Sequence, residues 1–366
     1  DTWWSGLGGA FSDPTTWLGT LATGVGEAGF WYSLVFTLVV LLFGLRRMHR
    51  RPTPYVRWQT WTLISIQALP LFLLPYLILP WLGNNGFFDA GVFKSIADAL
   101  FPVVEGYGPG REYWRAFGLI LAWPLFFWNV FSDQPMTAWL VISLIQTFVL
   151  LPLAIRRWGK GVYCGWICSC GALAETLGDT QRRKMPHGIL SNRLNFIGQF
   201  LLFLCFLMLD ARLTSWLFPG STIGNWAETV YSSILTGIPL LSYEWTVDLF
   251  FSGILGIGLY WHFSGRVWCR FACPLAALMH IYARFSRFRI ISEKARCISC
   301  NVCTAVCHQG IDVMSFAQRG IPLEDPQCVR CSACIEECPT EVLRFGAVDG
   351  AGNVVRLDSL AAIRNS

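Results

Sequence analysis

The chain has 366 residues, of which 54% are hydrophobic and only 14% are charged, and its formal net charge is +5. Soluble domains carry about 25% charged residues, so this composition excludes a disordered chain and argues strongly against a wholly soluble protein. Long apolar segments separated by charged ones predict a polytopic membrane protein.

Five apolar segments have the length of a membrane crossing. They cover residues 29–45, 58–82, 137–155, 195–217 and 246–263. Pro70, Pro75 and Pro80 predict kinks in the second of them. Residues 116–131 are also apolar, but the charge pattern requires an odd number of crossings between 115 and 156, so we predict an interfacial or re-entrant segment there. The predicted fold class is an all-α polytopic membrane bundle of about five or six helices, followed by a small α+β domain.

The basic residues predict the orientation of the bundle. Lys and Arg are concentrated in 46–57, 156–193 and 266–296, whereas the loop 218–245 contains neither. The positive-inside rule then predicts an inner-membrane protein with an external N-terminus and a cytoplasmic tail. The predicted domains are an external N-terminal segment (1–28), a transmembrane domain (29–289), a ferredoxin-like domain (290–346) and a C-terminal tail (347–366).

Eight cysteines of the tail form two motifs with the same spacing. They read Cys297-x2-Cys300-x2-Cys303-x3-Cys307 and Cys328-x2-Cys331-x2-Cys334-x3-Cys338-Pro. Cysteines so close together are typical of metal ligands rather than of disulfides, and thiolates select iron–sulfur clusters or zinc. Zinc sites usually pair two Cys-x2-Cys units, so a repeated run of four cysteines favours iron–sulfur clusters.

In this spacing, three neighbouring cysteines bind one cluster and the remote fourth cysteine binds the other. The predicted ligands of the first [4Fe–4S] cluster are therefore Cys297, Cys300, Cys303 and Cys338. Those of the second [4Fe–4S] cluster are Cys328, Cys331, Cys334 and Cys307. Cluster binding would replace the large hydrophobic core that so small a domain lacks. His308 stands in the first motif where proline is usual.

An internal repeat links GVYCGWICSCGAL (161–173) with GRVWCRFACPLAAL (265–278). Each copy follows a crossing on the basic side and carries Cys-x3-Cys, which predicts two related halves that meet at a shared site. Three interpretations stay open for these cysteines: a further metal centre such as an iron–sulfur cluster, redox-active dithiols, or buried packing residues. They concern Cys164, Cys168, Cys269 and Cys273, with Cys170 as a substitute for Cys168. Cys205, alone in an apolar crossing, is interpreted as packing.

The chain resembles the NapH/NosR-type membrane polyferredoxins over about residues 58–346. The resemblance rests on the two copies of the repeat, on RFSRFRI and on the tail motifs. The tail by itself resembles bacterial two-cluster ferredoxins. The resemblance implies electron transfer between the membrane quinone pool and redox partners. One departure is clear: the family motif reads Cys-x3-Cys-Pro twice, whereas the first copy here has Ser169 in place of proline and gains Cys170.

We therefore predict an electron-transfer subunit of a membrane redox complex rather than a stand-alone enzyme. Its predicted partners are other subunits, the lipid bilayer and a quinone; external loops 83–115 and 218–245 are candidate docking surfaces. The alternatives are a dithiol-based metalloenzyme assembly or metal-reductase factor, and a scaffold that anchors other subunits.

Other cofactors and ligands have weaker support in the sequence. It contains neither a flavin-attachment motif nor the Cys-x2-Cys-His motif of c-type haem. The basic residues of 284–296 follow a crossing directly, so contact with anionic lipid explains them better than nucleic acid does. Asp210 and Asp248 lie near the ends of crossings and are interpreted either as proton relays or as solvated helix ends.

Overall fold

The computed structural model describes residues 11–131, 135–238, 241–348 and 354–356. A bundle of helices forms the first part, and a small unit of strands and short helices forms the part from Phe288 onward. The predicted external segment 1–28 and the predicted tail 347–366 each lie partly outside the described residues, and the described residues of that tail, 347–348 and 354–356, belong to strands.

The helices are described in chain order. They are α1 (Trp17–Val25), α2 (Ala28–Arg50), α3 (Pro54–Asn84), α4 (Gly91–Leu100), α5 (Thr137–Trp158), α6 (Gly161–Cys164), α7 (Ser169–Glu175), α8 (Ile189–Leu217), α9 (Thr222–Thr229), α10 (Tyr243–Gly258), α11 (Trp268–Ala272), α12 (Pro274–Ala283), α13 (Val302–Ala305), α14 (Val313–Arg319) and α15 (Ala333–Glu336). Short 3₁₀-helices cover Tyr113–Leu119, Leu177–Lys184 and Lys294–Arg296, and a π-helical segment covers Val230–Thr236.

Within the described residues, four helices are long and apolar enough to cross a membrane: α2, α3, α5 and most of α8. They coincide with four of the predicted crossings. The predicted fifth crossing corresponds to α10, a π-helix of 16 residues. The apolar segment 116–131 forms the end of a 3₁₀-helix followed by turns, and it contributes Ala122, Trp123 and Phe127 to the buried core.

Helix α3 shows how the bundle accommodates its prolines. Pro54 occupies the first turn, and the Thr53 hydroxyl accepts a hydrogen bond from the Val56 N–H at 3.4 Å. Around Pro70 and Pro75 the helix is π-helical, over Leu69–Ile78. Because proline lacks an N–H, the ordinary α-helical ladder is interrupted there, and the wider register takes up the freed carbonyl groups.

The tail contains a three-stranded antiparallel sheet in the order β1 (Phe288–Ser292), β2 (Leu343–Val348), β3 (Val354–Arg356). Strand β1 precedes both cysteine motifs and β2 follows them, and their pairing runs from Phe288 opposite Ala347 to Ser292 opposite Leu343. The sheet therefore closes the loop that carries all eight tail cysteines. Strand β1 begins two residues before the predicted domain boundary at 290.

Two hydrophobic cores meet where the tail docks on the bundle. The bundle core contains the membrane-edge cysteines together with Val329 of the tail. The tail core contains Cys303, Cys328 and Cys334. Cys331 packs against both cores, so the second cysteine motif forms part of the contact between the two parts of the chain.

Candidate iron–sulfur sites and the charge network between them

The structure collects the eight tail cysteines into the two predicted sets. One cavity is lined by the first set, Cys297, Cys300, Cys303 and Cys338. A second cavity is lined by the other set, Cys307, Cys328, Cys331 and Cys334. Each cavity thus receives three cysteines from one motif and the remote cysteine from the other, as the spacing predicts.

The backbone between these cysteines has an unusual and repeated conformation. Ser299 and Asn301 in the first motif have φ of 59° and 62°, and the corresponding Arg330 and Ser332 in the second have φ of 52° and 68°. Left-handed residues alternating with ordinary ones turn successive N–H groups to one side, and such concave backbone is common at iron–sulfur sites. The conformation therefore fits an anionic cluster in each cavity.

The distances between the sulfur atoms show whether either cysteine set is arranged for a single zinc ion. Thiolates on one zinc ion lie roughly 3.8 Å apart, given Zn–S bonds of about 2.3 Å in a tetrahedron. Among the described residues, the only group of three metal-ligating side chains with its ligand atoms within 4.8 Å of one another is Glu175, His308 and Cys331. Within the described residues, neither tail set thus brings three sulfur atoms within 4.8 Å of one another, so neither is arranged around a single ion.

The repeat at the membrane edge also brings its four thiols together. Each of the six pairs among Cys164, Cys168, Cys269 and Cys273 is close enough to interact electrostatically. All four side chains are between 3% and 7% exposed. Burial raises the pKa of Cys164 and of Cys269 to about 11. Thiols this buried are poorly placed to exchange disulfides with another protein, which disfavours the dithiol interpretation.

Both copies of the repeat position their cysteines in the same way. In each copy the first cysteine lies in a helical turn, and the second is the N-cap of the next helix: Cys168 caps α7 and Cys273 caps α12. Ser169 occupies the first position of α7, where α12 has Pro274. Proline at that position preorganises a helix start but donates no hydrogen bond, so its replacement by serine leaves the corner intact.

Two buried cations flank the four thiols. Lys160 is completely buried, and its Nζ donates to Gln327 Oε1 at 2.8 Å; within the described part of the chain it has no carboxylate partner. Arg266 Nη1 donates to the Cys164 carbonyl at 2.9 Å and lies 3.8 Å from Cys269 Sγ. Arg266 is paired with the Glu175 carboxylate at 2.6 Å, whereas the unpaired positive charge of Lys160 favours an anionic occupant of the site.

A network of buried charges lies between this site and the tail. Glu175 is completely buried and contacts Arg182 at 2.5 Å, Arg266 at 2.6 Å, Arg47 at 3.0 Å and His308 at 3.5 Å. Burial alone would raise the pKa of this carboxyl, but the surrounding cations hold it well below its usual range. With its oxygens already occupied by three guanidinium groups, Glu175 is not a free metal ligand.

The same network reaches the second cysteine set. Arg182 Nη1 donates to Cys331 Sγ at 3.3 Å and contacts His308 Nδ1 at 2.9 Å. A hydrogen bond to a ligand sulfur raises the reduction potential of a bound cluster. Sequence reasoning did not find Arg182 or Glu175, and it treated His308 only as a missing proline.

Comparison with known families finds 4Fe–4S-binding domains in the same parts of the chain. A family described as 4Fe-4S dicluster domain matches residues 289–339. A second family, described as 4Fe-4S binding domain, matches twice, at 137–190 and 245–292, so that each match includes one copy of the membrane-edge repeat.

The chain is also similar to curated proteins. It is 26% identical over 84% of its length to Protein NirI of Paracoccus denitrificans, and 27% identical over 57% of its length to the Regulatory protein NosR of Pseudomonas aeruginosa. The predicted resemblance to the NapH/NosR-type membrane polyferredoxins is confirmed. A further polyferredoxin relative is the Putative electron transport protein YccM of Escherichia coli, 26% identical over 57% of this chain.

The polyferredoxin relatives are longer than the shared part. The aligned segments span 57% of YccM, 39% of NirI and 27% of NosR. No solved structure matches the chain. The comparisons support electron transport, 4Fe–4S-binding domains and membrane helices for this chain. The ligand sets remain predictions, which the lining of the two cavities supports.

Proposed function

We propose that this chain is the electron-transfer subunit of a membrane redox complex, passing electrons between the quinone pool or a membrane partner and two [4Fe–4S] clusters in its tail. The observation that carries the proposal is the pair of cavities, each lined by one of the two four-cysteine sets. When bound, such clusters supply one-electron transfer.

The residues of the chain have three tasks in this proposal. The tail thiolates hold the clusters, and the left-handed backbone turns its N–H groups toward them. The Arg182 guanidinium, through Cys331, raises the affinity of the second site for an electron. The junction of the two cores at Cys331 keeps the tail fixed against the bundle and excludes water from the second set.

The proposal includes a location. The basic segments after α2, α5 and α10 support a cytoplasmic tail and an external N-terminus in the inner membrane. The loops 83–115 and 218–245 are then on the opposite face and are available to other subunits of the complex. Accessibility of single cysteines introduced at the exposed positions Val92 and Arg319 to a membrane-impermeant maleimide in spheroplasts tests this orientation.

The experiment that tests the proposed function is a metal inventory of the anaerobically purified chain. We expect at least eight irons and eight acid-labile sulfides per chain, from two clusters of four. Dithionite-reduced protein should give interacting low-potential signals in electron paramagnetic resonance. Zinc in place of iron, or fewer than eight irons in freshly prepared protein, would overturn the proposal.

We further propose that the four thiols at the membrane edge hold a third iron–sulfur centre. The mutual proximity of the thiols and the adjacent Lys160 and Arg266 support it. The paired replacement Cys164→Ser with Cys269→Ser is expected to remove iron beyond the eight of the tail and to slow electron flow. Cys205→Ser is the matched control, because Cys205 is equally buried in the same core but lies outside the set.

Unchanged iron in the paired variant would mean that these thiols pack the core and bind no metal. Normal electron flow combined with lost maturation of a partner enzyme would instead favour the assembly-factor alternative. The tail clusters are expected to persist in the paired variant, so the result separates the membrane-edge site from the two tail sites.

A further inference from the structure

A large cavity lies inside the membrane bundle, outside all three cysteine sites. Its volume is about 460 Å³, which is in the range of sites for small organic ligands. Residues of α2, α3, α7 and α10 line it, and most of its wall is apolar, with Phe36, Leu71 and Phe126 among the lining side chains. Tyr32 lines it too and is 66% exposed on an apolar helix, so the cavity reaches the lipid-facing surface of the bundle.

Among the described residues that line this largely apolar wall, the side chains of Gln67, Trp268 and Asp248 each carry a polar group that no hydrogen bond in the protein satisfies, and Gln67 and Asp248 are the two considered first. Gln67 is 1% exposed, and its Nε2 has no hydrogen-bond acceptor. Asp248 lines the cavity from α10, and among the described residues no group donates a hydrogen bond to it. A buried amide N–H without an acceptor is costly, about 1–3 kcal/mol, so a ligand that offers an acceptor is favoured here.

These two groups restrict the class of ligand. A lipid acyl chain fills apolar space but offers the Gln67 amide no acceptor. A quinone combines an apolar ring and tail with carbonyl oxygens that accept hydrogen bonds, and its reduced form carries hydroxyl groups that donate to a carboxylate. A mostly apolar wall in which Gln67 can donate and Asp248 can accept a hydrogen bond therefore matches a quinone ring better than a lipid tail.

The cavity adjoins the four thiols at the membrane edge. Ser169 and Cys170 of α7 line it, and so does Trp268, which immediately precedes Cys269. The Cys170 thiol hydrogen-bonds Cys168. A ligand in the cavity is thus separated from the thiol set by a single contact, a placement that suits exchange of electrons between the two.

We propose that this cavity is the binding site of a lipid-soluble quinone, with Gln67 donating to a carbonyl oxygen of the oxidised form and Asp248 accepting from a hydroxyl of the reduced form. The inference rests on the proposed electron-transfer function and assigns it a site. It also gives Cys170, the residue gained in the first repeat, a place on the wall between the quinone and the thiols.

The test measures binding of decylubiquinone to the full chain in lipid nanodiscs, against nanodiscs without protein. Gln67→Leu is expected to weaken binding about tenfold, the effect of one lost hydrogen bond. Gln146→Leu is the matched control: Gln146 lies in another membrane helix, where its amide is bonded to the Leu119 carbonyl at 3.0 Å. Dodecanol, an apolar chain without a quinone ring, is the competing probe.

A second pair of variants addresses the reduced form. Asp248→Asn is expected to weaken decylubiquinol binding more than decylubiquinone binding, and Asp210→Asn, in α8, should change neither. Gly253→Phe should abolish binding of both by filling the cavity; a Cβ at Gly253 meets only the Asp248 carbonyl at 3.4 Å, so the fold has room for a side chain there.

Equal decylubiquinone affinity in the wild type, Gln67→Leu and Gly253→Phe would overturn the assignment. The assignment would also be overturned if dodecanol displaced decylubiquinone equally well from the wild type and from every variant, because that result identifies a lipid site. The iron content of the same preparations is measured in parallel. Eight or more irons without quinone binding contradicts the cavity assignment alone, whereas quinone binding without iron contradicts the electron-transfer proposal.

Discussion

Replacing Glu175 by glutamine is expected to lower the free energy of unfolding of the chain by about 3–5 kcal/mol, the cost of breaking a buried ion pair by removing one partner. The neutral side chain leaves the guanidinium groups of Arg47, Arg182 and Arg266 buried around an uncharged amide. Chemical denaturation of the detergent-solubilised full chain, followed by circular dichroism, measures the change.

Glu337→Gln is the control for this variant. Glu337 is 45% exposed and lies 3.6 Å from the exposed Arg183, and pairs of this kind contribute roughly 0–1 kcal/mol. A loss of less than about 1 kcal/mol in Glu175→Gln as well would show that the network does not hold the two parts of the chain together.

Pairs of cysteine substitutions are expected to show which thiols share a cluster. Cys297 and Cys338 line one cavity although they belong to different motifs. Each single serine variant should lose about four irons, and the double variant Cys297→Ser with Cys338→Ser should lose no more than either single one. The double variant Cys297→Ser with Cys307→Ser should lose about eight irons, because Cys307 lines the other cavity.

The iron and sulfide contents of anaerobic preparations of the single and double variants measure these losses. If each motif instead bound its own cluster, the pattern would be reversed: Cys297 with Cys307 would be the non-additive pair. Cys205→Ser again provides a variant whose iron content should equal that of the wild type.

The tail sites were predictable because their chemistry is local. Cysteines three residues apart are placed by one turn of chain, and the remote fourth cysteine follows from the repeat, so the two sets in the cavities are those that the spacing predicts. The four membrane helices were equally readable, since each depends only on the length of an apolar segment. Ligation itself stays a prediction.

The charge network was not predictable because its members are far apart in sequence. Arg47, Glu175, Arg266 and His308 come from four separate segments, and only the folded chain brings them together. In the sequence, Glu175 is only an acidic residue within a segment whose charged residues are mostly basic. The cavity in the bundle left two readable signs, the polar Gln67 inside an apolar crossing and Asp248 near the end of another, but only the folded chain shows that they line the same cavity.

The complete burial of Lys160 has a consequence for how the protein is made. Its ammonium group is enclosed at the junction of bundle and tail, and its hydrogen bond goes to Gln327, just ahead of the second motif. Before the neighbouring thiols are loaded with metal, enclosing that charge is unfavourable. If these thiols hold the third iron–sulfur centre proposed above, we expect the tail to close over Lys160 only after that centre has been assembled.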